Sequence, residues 1–421
     1  MGIKLRLTIM NFLQFFIWGA WLITIANYWF GTMGWGPTEF GAVFLTLGIA
    51  SLFMPTITGI IADRWINAER VFAVSHIIAG AAIASFPFIK DPQTFFWVML
   101  FAMSFYMPTI ALTNTIAYNA LSKAKLDVVK SFPPIRVWGT IGFIAAMWFV
   151  NLTGNKASVN MFYISAFASL ILGLYSFTLP KCPPQLKEKT EGKQSLVKVF
   201  GLDAFKLFAN YKMAIFFIFS MLLGASLQLT NMYGDRFLDH FKDIPQYADS
   251  AVVKYSTIIM SISQISETLF ILAIPFFLKR FGIKKVMIIS LFAWVLRFGL
   301  FAFGLPDGFG LVLIVVSMIV YGMAFDFFNI SGSLFIETAT DSKMRGSAQG
   351  LFMMMTNGFG TMIGALGSGV IIDKFYVLPN GVWDWHNLWL GFAGYALIVA
   401  ILFIILFKHK HNPAEVADIK H

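Results

Sequence analysis

Apolar residues fall along this chain in blocks of about 20, long enough to cross a bilayer as α-helix, with short polar turns between them. Twelve spans are expected, at roughly 5–30, 38–61, 70–89, 94–121, 133–152, 159–180, 212–234, 251–278, 284–303, 309–337, 344–371 and 385–407. Barrel strands are shorter and alternate apolar with polar positions. These blocks therefore suit helices, whose backbone groups are satisfied within the segment. The start, MGIKLR and then an apolar run, has the look of a signal peptide. No A-x-A-like cleavage site follows and the run continues to about Phe30, so it reads as a retained first helix.

Composition agrees with this pattern. Of 421 residues, 58% are hydrophobic and 12% charged, with a mean hydropathy of +0.74. A soluble protein of this size could not hide so much apolar surface, so lipid is the solvent for much of it. The 21 Met and 47 Phe are read mostly as lipid-facing and core packing. The single cysteine, Cys182, excludes a disulfide framework and a multi-cysteine metal site. A net charge of +10 could suggest nucleic acid, but its placement points to membrane topology instead. With the N-terminus inside, the outer loops hold only Lys90, Lys156, Arg236, Lys242, Lys254 and Lys374 of the 31 Lys and Arg. Arg136 and Arg297 fall within spans, and the rest lie inside, which places both termini in the cytoplasm.

The longest inner connection divides the chain into a six-helix bundle (1–180), a cytoplasmic linker (181–211), and a second bundle with a tail (212–421). The linker opens with CPPQLKEKTEGK and continues as SLVKVFGLDAFKLF, which suits a short helix on the inner membrane face or an ordinary loop helix. The halves echo each other: a basic loop follows span two (GIIADRWINAERV) and another follows span eight (LKRFGIKKVM). Two such halves with a site between them form a transporter architecture. The Gly59-x-x-x-Asp63-Arg64 pattern resembles the signature loop of the major facilitator superfamily. That resemblance implies a cytoplasmic gating latch made by Asp63, Arg64 and Arg70.

Ionisable groups inside lipid are functional candidates by default, although single amides and hydroxyls also serve as clamps between helices. Arg136, Thr140 and Phe143 share one face of span five. Phe132-Pro133-Pro134 either starts that helix, with Arg136 snorkelling to the inner interface, or kinks one already begun, with Arg136 deeper. Gln228 and Asn231 on span seven are three apart, as are Gln264 and Glu267 on span eight. Span ten carries Tyr321, Phe325, Asp326 and Asn329. Four polar faces with flanking rings suit a cavity for a solute bearing both hydroxyls and a ring, and sugars fit almost as well. Low dielectric disfavours an ionised carboxylate, so Glu267 and Asp326 could couple a proton to solute movement. Arg297 on span nine needs a partner; Asp326 is the first candidate, which leaves Glu267 for the proton. His76 stands alone in its span and reads as a packed or interfacial side chain, and Gln349 and Asn357 read as clamps. The C-terminal KHKHNP reads as an inner-face charge cluster. No Walker motif, nucleophile elbow, HExxH or paired-Cys motif occurs, so neither an enzyme nor an ATP-driven pump is expected.

Longer segments carry a closer resemblance: FLQFFIWGAWL (12–22), SFPPIRVWGTIGF (131–143), FFIFSMLLGASLQLTNMYG (216–234), IIMSISQISETLFIL (258–272) and MIVYGMAFDFFNISGS (318–333). They are similar to the bacterial nucleoside:H+ symporters of the major facilitator superfamily. The resemblance implies an all-α integral membrane fold of twelve transmembrane helices in two six-helix bundles. It also implies proton-driven uptake of purine and pyrimidine nucleosides across the inner membrane by alternating access. On this footing Arg136, Thr140, Phe143, Gln228, Asn231, Gln264, Glu267, Tyr321 and Phe325 would bind substrate, and Glu267 and Asp326 would couple protons. The energy source would be the proton gradient, with no cofactor or metal; the partners would be nucleoside, protons and lipid, and the state monomeric. Ser226 departs from the family pattern, where at least one relative carries an acid, and leaves one fewer candidate for protonation. The other readings are a proton-coupled sugar or polyol carrier of the same superfamily, a binding-only receptor, and a membrane hydrolase using the two acids.

Overall fold

A computed structural model describes residues 2–184, 202–341 and 344–410. Most of the expected linker, Lys343, and the tail from 411 onward lie outside the described residues. The described chain is helical throughout, apart from an isolated bridge between Val377 and Trp383. Nine described helices are long and apolar enough to cross a membrane. One of them, Ser256–Ala302, is two spans: Gly282, at φ 76° and ψ 169°, turns the chain in the loop that separates spans eight and nine. With the interrupted first helix and the shorter Asn160–Ser176, the expected twelve are accounted for among the described residues.

Some spans begin where the sequence offers a cap or a first-turn proline. Pro37 and Pro92 open their helices at the positions where a missing N–H costs nothing. Asp91 accepts a hydrogen bond from the Thr94 amide at 2.8 Å, which holds its carboxyl below the usual range. Asn210 caps Tyr211–Asp239 by accepting from the amides of Lys212 and Met213 at 3.0 and 3.2 Å.

The chain forms two compact units, Met1–Ser195 and Leu196–His421. In the first, span one packs on span five, span two on span four, and span three on spans four and six. Spans one and five touch backbone to backbone: a Cβ on Gly142 would strike the Phe12 carbonyl, and one on Gly19 the Phe143 carbonyl. In the second unit, the first and fifth spans of that half meet in the same way. A Cβ on Gly224 of span seven would strike the Thr356 carbonyl, and one on Gly364 of span eleven the backbone of Ala225. The echo seen in the inner loops thus extends to helix packing. Each unit turns large apolar side chains outward, such as Trp97, Trp138 and Phe167 in the first and Leu272, Phe309 and Ile405 in the second. That is the surface a hydrocarbon solvent permits.

Three spans are less regular than their apolar runs predict. Span one is α-helical over Ile3–Gly19, then passes through turns into a π-helical stretch, Asn27–Thr32. Span ten is two helices, Gly308–Ala324 and Asp326–Ala339, parted at Phe325. Span eleven contains a π-helical stretch, Met354–Gly360. Breaks of this kind survive in a membrane where neighbours satisfy the released backbone groups. The Ala324 carbonyl, next to the break, accepts a hydrogen bond from Ser290 of span nine.

Candidate functional site

The helix of span five runs Val128–Leu152, so Pro133 and Pro134 lie inside it and do not start it. Arg136 is eight residues past the first helical residue, about 12 Å along the axis. It is half-buried, and its guanidinium carbon stands 4.1 Å above the ring of Phe15 on span one. Thr140 and Phe143 are likewise half-buried, while Val137, Trp138 and Ile141 are exposed on the lipid side. The helix therefore sorts its residues as the spacing predicts, with the polar face away from lipid.

In the second unit, Gln228 is buried on span seven and donates to Thr361 Oγ1 of span eleven at 3.1 Å. Its Oε1 is enclosed and has no hydrogen-bond partner among the described residues, and the same holds for Gln264 Oε1 on span eight. Asn231, Glu267 and Phe325 are half-buried, and Tyr321 and Asp326 are buried. Tyr321 meets the edge of Trp294 at 5.8 Å between ring centres. Its hydroxyl lies within the electrostatic reach of Glu267, Arg297 and Asp326, which places these groups in one polar neighbourhood. Asp326 sits in the first turn of Asp326–Ala339, where the positive end of the helix dipole favours a carboxylate.

The expected Arg297–Asp326 pair is absent. Arg297 is fully buried, and its guanidinium goes to Thr230, Met318 and the faces of Phe301 and Tyr321 instead. Asp326 begins a new half-helix after the break at Phe325, and opposite charge alone does not bring it to Arg297.

His76 is not alone either. Its Nε2 is 2.8 Å from Gln14 Oε1 and its Nδ1 is 3.2 Å from Ser169 Oγ. Gln14 Nε2 donates to Thr109 Oγ1 at 2.8 Å, and the Tyr106 hydroxyl donates to the Gln14 carbonyl at 2.7 Å. This buried network ties spans one, three, four and six together. Gln14 stood as a polar residue in the apolar run FLQFF, so the criterion applied to Gln228 would also have found it. Gln349 does clamp, donating to the Ser333 carbonyl at 2.8 Å and accepting from the Ser333 hydroxyl at 3.1 Å.

In the loop after span two, Asp63 and Arg70 are exposed and Arg64 is half-buried, and none of the three forms an ion pair among the described residues. Asp63 borders a cavity of about 380 Å³, together with Thr115, Asn119 and Ser122. The loop is fastened by Glu69, which nothing in its sequence context singles out. Its buried carboxylate accepts from the Cys182 amide at 2.7 Å and from Asn67 Nδ2 at 2.9 Å, and the Ala68 amide donates to the Cys182 carbonyl at 2.9 Å. Burial, and then the Glu69 carboxylate, push the Cys182 thiol up, which suits an inert side chain. Among the described residues no group of three or more metal-ligating side chains comes together.

The family model described as "Nucleoside H+ symporter" matches residues 1–412. The nucleoside permease NupG of Escherichia coli (strain K12) is 52% identical over 411 residues, covering 98% of this chain and 97% of that protein. The xanthosine permease of Escherichia coli (strain K12) is 51% identical over 416 residues, covering 99% and 98%. A crystal structure of the nucleoside transporter NupG superposes with a TM-score of 0.91 at 52% identity, covering 97% of this chain and 100% of that one.

Proposed function

The chain belongs to the nucleoside H+ symporter family, and on that premise we propose how it moves a nucleoside and a proton together. It is a transporter of the major facilitator fold, and its activity is proton-coupled nucleoside uptake. Gln228, Asn231, Gln264, Glu267 and Tyr321 hold the ribose hydroxyls and the base edge. Arg136 and Thr140 add hydrogen-bonding groups from span five, and Phe143 and Phe325 offer flat faces to the base. Glu267 and Asp326 take up and release the proton, so the gradient is the energy source and no cofactor is required. Asp63, Arg64 and Arg70 serve the inner gate. The protein works as a monomer in the bacterial inner membrane, with both termini cytoplasmic, and carries its substrate by alternating access.

The observation that carries this reading is the pair of enclosed amide groups. Whichever way the Gln228 amide is turned, one end meets Thr361 and the other stays open. An unmet buried acceptor costs about 1–3 kcal/mol. A solute rich in O–H and N–H donors removes that cost, and a nucleoside has both.

The test is uptake of labelled uridine and xanthosine, beside a panel of sugars, into proteoliposomes under an imposed pH gradient. Nucleosides are expected to accumulate and an uncoupler to abolish accumulation. Preferential sugar uptake, or accumulation indifferent to the uncoupler, would overturn the reading.

A further inference from the structure

Arg297 is a fully buried cation whose described partners are all neutral. Its Nε and Nη2 donate to Thr230 Oγ1 at 3.2 and 3.1 Å, and its Nη1 points to Met318 Sδ at 3.0 Å. Its guanidinium carbon lies 4.4 Å from the ring centre of Phe301 and 5.2 Å from that of Tyr321. Ser317 donates to the Arg297 carbonyl at 2.8 Å, which pins the backbone as well. No carboxylate comes within ion-pair distance of it among the described residues.

Neutral acceptors and ring faces recover only part of the cost of desolvating a guanidinium, and an apolar side chain of similar length would do better for stability. A charge held at such a cost inside a membrane span points to function. Its location shows which function. Thr230 lies on span seven between Gln228 and Asn231, and Tyr321 on span ten is itself in the candidate nucleoside-facing set, so both anchors sit on helices that carry that set. Trp294, one turn before Arg297 on span nine, packs edge-on against the same Tyr321 ring.

We propose that Arg297 is a positioning residue: its planar fork clamps Thr230 and the face of Tyr321 into one register. The amides of span seven and the Tyr321 hydroxyl are thereby held ready for the same nucleoside. The inference rests on the nucleoside reading of this site. A lysine keeps the charge but cannot bring two N–H groups in fixed geometry to one hydroxyl.

The test reconstitutes wild type, Arg297→Met, Arg297→Lys and the double variant Arg297→Met/Thr230→Val, and measures uridine uptake kinetics and the thermal midpoint of each. Arg297→Met is expected to unfold at the same or a higher temperature. Its KM for uridine should rise about tenfold, a loss of about 1.4 kcal/mol of binding, with a smaller change in maximal rate. Arg297→Lys should lie between it and wild type. The double variant should raise KM no further than Arg297→Met, because the clamp is already gone. Unchanged KM in Arg297→Met, with or without a lower midpoint, overturns the proposal, as do additive effects in the double variant. Should Arg297→Met fail to fold, Arg297→Lys decides: a wild-type KM there overturns the proposal. Wild-type protein that does not carry uridine overturns the nucleoside reading, and this inference with it. Wild-type transport beside an unaltered Arg297→Met removes the inference alone.

Discussion

Gln14 and Gln228 are the same residue type in similar apolar runs, and their surroundings separate their roles. The Gln14 side chain is engaged at both ends, by Thr109 and by His76, with Thr113 at 3.4 Å as a weaker donor. The Gln228 side chain has one end open. A satisfied amide is a clamp, and an open one is a binding group. Removing a partner from a satisfied buried group costs about 1–3 kcal/mol. His76→Leu is therefore expected to lower the unfolding midpoint while leaving the uridine KM near wild type. Gln228→Leu should do the reverse, holding or raising the midpoint and raising KM, and comparing the two variants in one reconstituted assay checks the distinction. From sequence alone both glutamines are merely polar residues in lipid, because the donors that engage Gln14 come from spans more than 60 residues away.

At the scale of elements, small residues decide where spans one and five, and spans seven and eleven, make backbone contact. The glycines are visible in the sequence, but nothing local says that Gly224 faces the Thr356 carbonyl and that Gly367 faces open space. Overpacking a tight contact costs about 1–3 kcal/mol. Gly224→Val is expected to lower the thermal midpoint and slow uridine uptake, whereas Gly367→Val should leave both near wild type. The irregular stretches follow the same logic. An apolar run predicts a span, yet beside the break at Phe325 the Ala324 carbonyl is met by Ser290 from another span. Hydropathy reads solvent preference and has no information on which neighbour will satisfy a released carbonyl.

Proton coupling belongs to the whole molecule, since it is a property of a complete transport cycle. With Glu267 as proton carrier, Glu267→Gln is locked in a form that resembles the protonated acid. It should exchange labelled for unlabelled uridine across proteoliposomes but fail to accumulate it under a pH gradient; full gradient-driven accumulation would remove Glu267 from the role. At this scale the sequence was most informative. The twelve apolar blocks are sufficient for the helical, membrane-spanning fold, because lipid imposes span length and helical structure on any chain that enters it. The sorting of span five is legible too, since helical spacing alone puts Arg136 with Thr140 on one side of it. The partners are not. Arg297 was matched by charge to Asp326, and the fold matches it to Thr230, Met318 and two rings. His76 stands alone in its apolar run and in the fold is the middle of a network. Solvent preference and helical period are one-dimensional and can be read along the chain. A hydrogen bond between spans needs two side chains at about 3 Å, and only the tertiary packing brings such distant residues together.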